Sequence, residues 1–152
     1  MSETKFDLHP IQLEDITVSK LSLVVVNQKE ALSCAGEIKF KIEMGTSEFK
    51  ENDANISVGI RIQAQPFVEE GSECPFSIEI DLAGHFKVDY SKFKYEHLKR
   101  WSRVNAPFII LPYAREHIYG LALRAGIRGL VFPLFIQPGT GPEMKKELIA
   151  DK

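Results

Sequence analysis

The stretch that decides the fold is NAPFIILPYAREHIYGLALRAG, residues 105–126. A helix is predicted here, because Asn105 suits the N-cap, Pro107 the first turn and Gly126 the position just after the last turn. Pro112 lies inside it. Since proline lacks an amide hydrogen and clashes with the carbonyl four residues back, the helix either kinks or effectively begins there. Apolar residues cover most of its circumference, which is typical of a helix in a large core, a membrane or a subunit interface.

The composition and the length of the apolar runs help to choose among these three environments. The chain has 152 residues, 26% of them charged, and a formal net charge of −2, which predicts a single domain over residues 1–152 and no nucleic-acid partner. Basic residues do cluster between Lys92 and Arg103, and this cluster is interpreted as a solvated helix face. The longest apolar runs fall far short of the roughly 20 residues that a membrane-spanning helix needs, so membrane insertion is not expected. The polar, acidic N-terminus lacks the pattern of a signal peptide, which predicts a cytoplasmic location.

Alternating apolar residues in the first half predict an antiparallel sheet. Three segments place apolar side chains on one face with period two: EIKFKIEM (37–44), NISVGIRIQAQ (55–65) and PFSIEIDLAGHFKV (75–88). This pattern is typical of an antiparallel sheet that is covered on one side only. Polar, turn-rich segments separate the three, so successive hairpins are expected.

A fourth strand is predicted before them, in IQLEDITVSKLSLVVV (11–26). Its apolar parity shifts near Ser19 and Lys20, which predicts a bulge or bend. The following connection, residues 27–36, is long for a tight hairpin and indicates a crossover over the sheet.

Helical spacing replaces the alternation after Tyr90. A short helix is predicted within SKFKYEHLKRW (91–101), and the long helix follows it. IRGLVFPLFIQP (127–138) is interpreted as an extended apolar arm, and a short charged helix is expected in GPEMKKELIADK (141–152). Strands followed by helices predict the α+β class.

Motifs for known active sites are missing from the sequence. It has no nucleotide-binding, zinc-protease or serine-hydrolase motif, so no cofactor, no metal and no enzymatic activity are expected. Arg115, Glu116 and His117 are adjacent, but consecutive helical residues point about 100° apart and cannot converge on one substrate. They are interpreted as framework or interface residues. Cys34 and Cys74 lack metal-ligand spacing and are expected to be free thiols.

A sheet with one bare apolar face and a helix with apolar surface to spare predict association between subunits. The helix can cover its own sheet with one side and contact a second subunit with the other. The simplest closed arrangement is a symmetric homo-oligomer.

The same helix carries a resemblance to a known family. LPYAREHIYGLALRAGIRGLVFPLF (111–135) resembles the most characteristic stretch of the SecB family of preprotein-export chaperones. The matching helix residues are Leu111, Pro112, Tyr113, Ala114, Arg115 and Glu116, followed by Arg124 and Gly126. Weaker matches in the strands are Asp15, Ile16, Glu79, Gly84 and Phe86. The order of elements agrees over roughly residues 6–138.

The resemblance implies an α+β fold: a four-stranded antiparallel sheet with a crossover loop, then a long helix and a short C-terminal helix. It also implies a homotetramer, a dimer of dimers, that binds unfolded polypeptides without ATP in protein export. The client would bind along apolar grooves formed by the ends of the sheet, the crossover loop and the arm. Candidate groove residues are Phe6, Leu8, Leu32, Phe132, Leu134, Phe135 and Ile136. For each of them ordinary core packing is the alternative.

Export members of the family deliver clients to the motor SecA through an acidic patch on the sheet. Asp15 and Glu79 match acidic positions of that patch, whereas Ser19 and Ser77 replace an acidic and an apolar residue. The acidic tail of the family is also missing, so docking to SecA is left open. Two other functions stay open as well: a chaperone dedicated to one partner such as an antitoxin, and a small-molecule-binding domain with its cleft between helix and sheet.

Overall fold

In the computed structural model, which describes residues 5–33 and 37–135, the sheet and helices follow the predicted order. The strands are β1 (Ile11–Val25), β2 (Ile38–Thr46), β3 (Asn55–Pro66) and β4 (Phe76–Val88). The helices are α1 (Gln28–Ser33), α2 (Leu98–Val104) and α3 (Ala106–Arg124), and a 3₁₀ turn, Tyr95–His97, precedes α2. The C-terminal helix expected at 141–152 lies outside the described residues.

All neighbouring strands are antiparallel, in the order β1-β4-β3-β2. The predicted hairpins β2–β3 and β3–β4 are therefore confirmed. Since β1 and β2 lie at opposite edges, the connection between them, which contains α1, crosses over the sheet as predicted. The α+β fold with a four-stranded antiparallel sheet is confirmed.

Two bulges keep the apolar side chains of β1 on one face. The register shifts between Leu13 and Asp15, and again between Val18 and Lys20. Each extra residue reverses the parity of the strand, so the apolar residues on both sides of a shift keep facing the core. The second shift is the predicted one. The first was not anticipated, although Leu13 and Ile16 are already out of phase in the sequence.

The core lies between the inner face of the sheet and one side of α3. The buried strand residues include Ile56, Val58, Ile60, Ile62, Phe76, Ile78, Ile80, Leu82 and Phe86. The buried residues of α3 are Ala106, Pro107, Ile110, Leu111, Ala114, Ile118 and Ala122. Gly84 lets the helix approach β4 closely, because a Cβ atom built there would lie only 2.4 Å from Cγ2 of Ile110.

The two ends of α3 are closed differently. Asn105 occupies the N-cap position, as predicted, but its φ of −94° and ψ of −47° are helical and its side chain makes no capping hydrogen bond. The reason is that α2 runs directly into α3, and the Asn105 amide donates to the carbonyl of Trp101. At the C-terminus Gly126 has φ 76°, and the Ile127 amide donates to Ala122 O at 2.9 Å, the Schellman arrangement that glycine favours.

Pro112 does not begin the helix: α3 starts six residues earlier, at Ala106, and includes Pro112 in its interior. None of the helices in the described ranges is long and apolar enough to cross a membrane. Within the same ranges no three His, Cys, Asp or Glu side chains are grouped closely enough to hold a metal ion. Cys74 is a free thiol, and Cys34 lies outside the described residues.

Candidate functional site

An apolar groove runs along the edge of the sheet, between β2 and the start of α3. We call it the edge groove. Its apolar segment has a volume of about 210 Å³. The lining residues are Ile42, Met44, Ile60, Pro107, Phe108, Leu111 and Phe135.

The local structure explains why these residues face the groove. Ile42 and Met44 alternate onto the inner face of β2 and pair with Ile62 and Ile60 of β3. Since β2 is the last strand of the sheet, no further strand covers this flank among the described residues. The side chain of Met44 is therefore 56% exposed.

The apolar arm, described as far as residue 135, contributes Phe135 to the lining of the groove. Phe132 is buried, and its ring meets those of Phe40 and Phe135 edge to face at 4.8 and 5.5 Å. The Arg115 guanidinium carbon lies 5.8 Å from the centre of the Phe132 ring, in a cation–π arrangement. Phe132 thus anchors the arm to the sheet and to α3, whereas Phe135 stays 43% exposed at the groove.

The seven groove residues expected from the sequence do not lie together in the structure. Phe135 lines the edge groove, and Phe132 takes the core position that was the alternative. Phe6, Leu8 and Leu134 are more than 80% exposed, but none of the three lines this groove. The two remaining positions are Leu32, half exposed on α1, and Ile136, which lies outside the described residues.

Sequence reasoning missed most of the groove. The sequence places Ile42 and Met44 on the apolar face of a strand and Pro107 in the first turn of α3, and it does not single out Phe108. The predicted hairpins and crossover already place β2 at an edge of the sheet, but no local pattern in the sequence shows that a groove stays open between β2 and the start of α3.

The cleft between helix and sheet expected for a small-molecule site is filled along the middle of α3, where Ile110 packs directly onto Gly84. A more polar space lies at the start of α3, where Thr46, Ser102 and Arg103 are among the lining residues.

The second side of α3 is exposed and mostly apolar. Its residues are Ile109, Pro112, Tyr113, Glu116, Tyr119 and Leu123. They recur at helical spacing opposite the buried stripe. The prediction of a helix that is apolar on both sides is thereby confirmed, and its outer stripe is free to meet another surface.

The charged residues of the helix motif have few partners within the protomer. Among the residues that the structure describes, neither Arg115 nor Glu116 forms an ion pair. The Nε atom of Arg115 is buried without a hydrogen-bond partner there. Arg124 is exposed at the end of α3. Within this part of the chain Arg115 contacts the Phe132 ring, as a framework residue would, and contact with a neighbouring subunit stays a prediction.

The two acidic residues matched to the SecA-docking patch lie on the outer face of the sheet, far from each other. Asp15 pairs with His85 of β4, six residues along the strand from Glu79, a separation of about 20 Å at 3.3–3.4 Å per residue. The Glu79 carboxylate accepts hydrogen bonds from Lys20 and, at 3.0 Å, from Gln63. The hydrogen bond from Lys20 is the main reason why the pKa of Glu79 lies below its ordinary value.

Other acids on this face are paired as well. Arg61 binds Asp81 at 2.8 Å and approaches Glu43 at 3.8 Å, and Lys41 lies 2.9 Å from Glu43. The hydrogen bond from Lys41 lowers the pKa of Glu43. Acids and bases therefore alternate across the strands, and the face carries no concentrated negative charge.

The serines expected to weaken this patch are part of the same face. Ser19 Oγ donates to the Asp81 carbonyl at 3.2 Å, and Ser77 pairs with Val24 of β1. Neither position brings a carboxylate close to Glu79.

Solved structures and a family model are similar to this chain. A solved structure from Mycobacterium tuberculosis, the SecB-like chaperone Rv1957 in complex with a ChAD peptide from the Rv1956 HigA1 antitoxin, matches with a TM-score of 0.68 and 17% identity, over 85% of this chain and 93% of that one. A protein of unknown function from Streptococcus agalactiae matches with a TM-score of 0.44 and 14% identity, over 82% and 97%. No curated protein sequence matches. The sequence model of the family described as preprotein translocase subunit SecB matches residues 5–137; because this range is most of the chain, the protein belongs to the SecB family.

Proposed function

We propose that this protein is an ATP-independent chaperone that holds unfolded polypeptides, and that an apolar segment of the client binds in the edge groove. Membership of the SecB family supports a chaperone role rather than an enzymatic one. The observation that carries the proposal is the open apolar wall at the sheet edge, where Met44 and Phe135 are about half exposed. Isolated apolar residues on a surface are ordinary, but a lined groove is typical of a binding site.

The size of the groove sets the strength of a single contact. One buried apolar side chain contributes about 1.5–3 kcal/mol, and a volume of about 210 Å³ holds only one or two side chains. The exposed backbone of β2 can add hydrogen bonds that do not depend on the client sequence. Tight holding therefore requires several grooves that act on one client chain.

We place those grooves in a homo-oligomer, a tetramer built as a dimer of dimers. The exposed stripe of α3 supports this assembly, because a large apolar helix face is costly to leave in water. A cytoplasmic location, inferred from the sequence, stays a prediction.

Suppression of client aggregation tests the proposal. Light scattering of chemically denatured citrate synthase diluted into buffer should be suppressed by the wild type at a stoichiometric ratio of protomers. Met44→Asp should lose most of this effect, because it places a charge on the groove wall. Phe67→Asp is the matched control, since Phe67 is 61% exposed but does not line the groove. No suppression by the wild type would sink the proposal, and equal losses in both variants would remove the groove from it.

The balanced charge of the outer sheet face favours a chaperone that does not dock to SecA through that face. The second candidate function is therefore a chaperone dedicated to one partner. Glu79 is already held by Lys20 and Gln63, and Asp15 is distant. Capture of bound polypeptides from the native host distinguishes the two functions: one dominant partner supports the dedicated chaperone, and a spread of preproteins supports the export chaperone. Calorimetry with purified SecA measures docking directly. Micromolar binding that is abolished by Glu79→Ala would contradict the proposal that the outer sheet face does not dock to SecA.

A further inference from the structure

A histidine on the outer face of the sheet bridges two hydroxyl groups. His85 of β4 lies between its neighbours in β3 and β1. Its Nδ1 atom is 2.8 Å from Oγ of Ser57 on β3, and its Nε2 atom is 2.9 Å from Oγ1 of Thr17 on β1. The imidazole therefore joins side chains from three adjacent strands, on the face opposite to the one that lines the edge groove.

The strand register holds this arrangement in place. Ser57 and His85 are direct partners in the β3–β4 pair, and side chains in such positions have Cβ atoms about 4.5–5.5 Å apart. The residues that flank them, Ile56, Val58 and Phe86, are buried in the core. Since both residues sit on the two central strands, the serine and the imidazole are positioned by the most rigid part of the sheet.

The two hydrogen bonds give the imidazole different roles at its two nitrogen atoms. A neutral histidine has one N–H donor and one acceptor nitrogen. With the proton on Nε2, the ring donates to Thr17, and Nδ1 accepts from the Ser57 hydroxyl. A nucleophile within about 2.6–3.2 Å of a base that is itself oriented by a third group is the arrangement of an activated serine.

The surface beside Ser57 is open to a small molecule. Gly59 lies two residues along β3, and Gly45 is its partner on β2. A Cβ atom built at Gly45 would meet nothing within 4 Å, and one at Gly59 would meet nothing closer than 3.8 Å. A reagent can therefore reach the Ser57 hydroxyl over this flat part of the sheet.

The nearest backbone donor is already occupied. The Ser57 amide donates to Oγ of Ser47 at 3.0 Å, so it does not point a free N–H at an oxyanion formed on Ser57. Stabilisation of that oxyanion is usually a large part of enzymatic acyl transfer. The arrangement is therefore suited to one slow transfer to Ser57 and not to rapid turnover.

We infer that Ser57 is an acyl-acceptor site, with His85 as its general base and a small activated acyl compound, such as an ester with a good leaving group, as its donor. Oγ of Ser57 forms a bond to the acyl carbon, and its proton passes to Nδ1 of His85. The bond between the acyl carbon and the leaving group breaks, and the leaving group departs with the electron pair. The imidazolium then returns its proton to solvent. This inference does not rest on the proposed function, because the edge groove lies on the other face of the sheet.

Reaction of the full chain with p-nitrophenyl acetate tests the inference. At mildly alkaline pH, where histidine is neutral, the protein should release p-nitrophenolate in a first phase of at most one equivalent per protomer. Peptide mass spectrometry should place the acetyl ester on Ser57. His85→Gln should slow the acetylation of Ser57 by about 100-fold, the lower end of the range for a general base.

Two further substitutions separate activation from ordinary surface reactivity. Ser19→Ala is the matched control, because Ser19 lies on the same face but donates to the Asp81 carbonyl at 3.2 Å; this variant should react like the wild type. Thr17→Val should slow the acetylation of Ser57, and Thr17→Ser should restore it, if the hydroxyl orients the ring.

The outcomes are distinct from those of the chaperone assay. Ser57→Ala should lose the first phase and still suppress the aggregation of citrate synthase. Acetyl groups on lysines alone, or an equal rate of Ser57 acetylation in His85→Gln and the wild type, would overturn the inference and leave the Ser57–His85 hydrogen bond as a structural contact between strands.

Discussion

Replacing Gly84 by alanine should destabilise the protein by about 1–3 kcal/mol, the usual cost of forcing an extra methyl group into a packed core. Gly84 lies on β4, directly beneath α3. A Cβ atom there would lie 2.4 Å from Cγ2 of Ile110, whereas ordinary contacts begin at 3.4 Å. The helix and the strand must therefore separate by about 1 Å, or Ile110 must leave its position.

Few neighbours can absorb this displacement. The next nearest atoms belong to Phe86, at 3.1 Å, and Leu13, at 3.3 Å, so the methyl group is crowded from three directions. Ile110 is fully buried on a helix whose inner stripe is buried along its length. A shift of α3 would disturb that whole interface, which is why relaxation is expected to be incomplete.

Gly59→Ala is the matched control for the same substitution in the neighbouring central strand. Its Cβ would meet nothing closer than 3.8 Å, so this variant should be neutral or stabilised by up to about 1 kcal/mol through the lower entropy of the unfolded chain. Urea unfolding followed by circular dichroism gives both values. The protomer concentration must be held constant, because association adds to apparent stability.

A double-mutant cycle isolates the clash. Ile110→Ala alone should cost about 2–5 kcal/mol as a truncated core residue. In that background the alanine at position 84 has room, so Gly84→Ala should then cost much less, with a coupling energy on the order of 1–3 kcal/mol. Equal stabilities of Gly84→Ala and Gly59→Ala, or a coupling energy near zero, would refute the close approach of α3 to the sheet.

Three further perturbations address other parts of the molecule. The pKa of Glu79 is lowered chiefly by the hydrogen bond from Lys20. The stability that this carboxylate contributes is therefore present above the ordinary carboxylate pKa and is lost as the pH falls through the lowered pKa. Lys20→Met should remove this pH dependence from the free energy of unfolding measured in urea. Tyr90→Phe removes the hydrogen bond to the Asp53 carbonyl and should cost about 0.5–1.5 kcal/mol in the same assay; an unchanged midpoint would argue against the bond. Tyr113→Asp charges the exposed stripe of α3 and should lower the sedimentation coefficient at micromolar concentration, whereas an unchanged value would exclude this stripe from the subunit interface.

The buried residues of the sheet could be predicted from the sequence because the alternation of buried and exposed side chains is set within each strand. Ile60 and Ile80 alternate with polar residues, and a strand covered on one side must bury every second side chain. The bulge after Val18 follows from the same parity, since a shift without an extra residue would turn Leu21 and Leu23 to the polar face.

The groove could not be predicted, because it depends on relations between distant segments. Met44 has the same alternation as Ile60, yet it is half exposed because β2 is the edge strand. Phe132 and Phe135 have similar sequence surroundings, but the ring of Phe40 and the guanidinium of Arg115 enclose only the first. The path of the arm and the distance between α3 and the edge strand are set by tertiary packing, which leaves no periodic pattern in the sequence.

The helix motif joins these regions because its consecutive side chains point in different directions. Leu111 lines the groove, Ala114 lies against the sheet, and Tyr113 belongs to the exposed stripe. Arg115 reaches the arm through the ring of Phe132. A rotation of α3 about its axis would displace all of these side chains together. The packing of the core, the lining of the groove and the position of the predicted subunit interface therefore depend on one orientation of the helix.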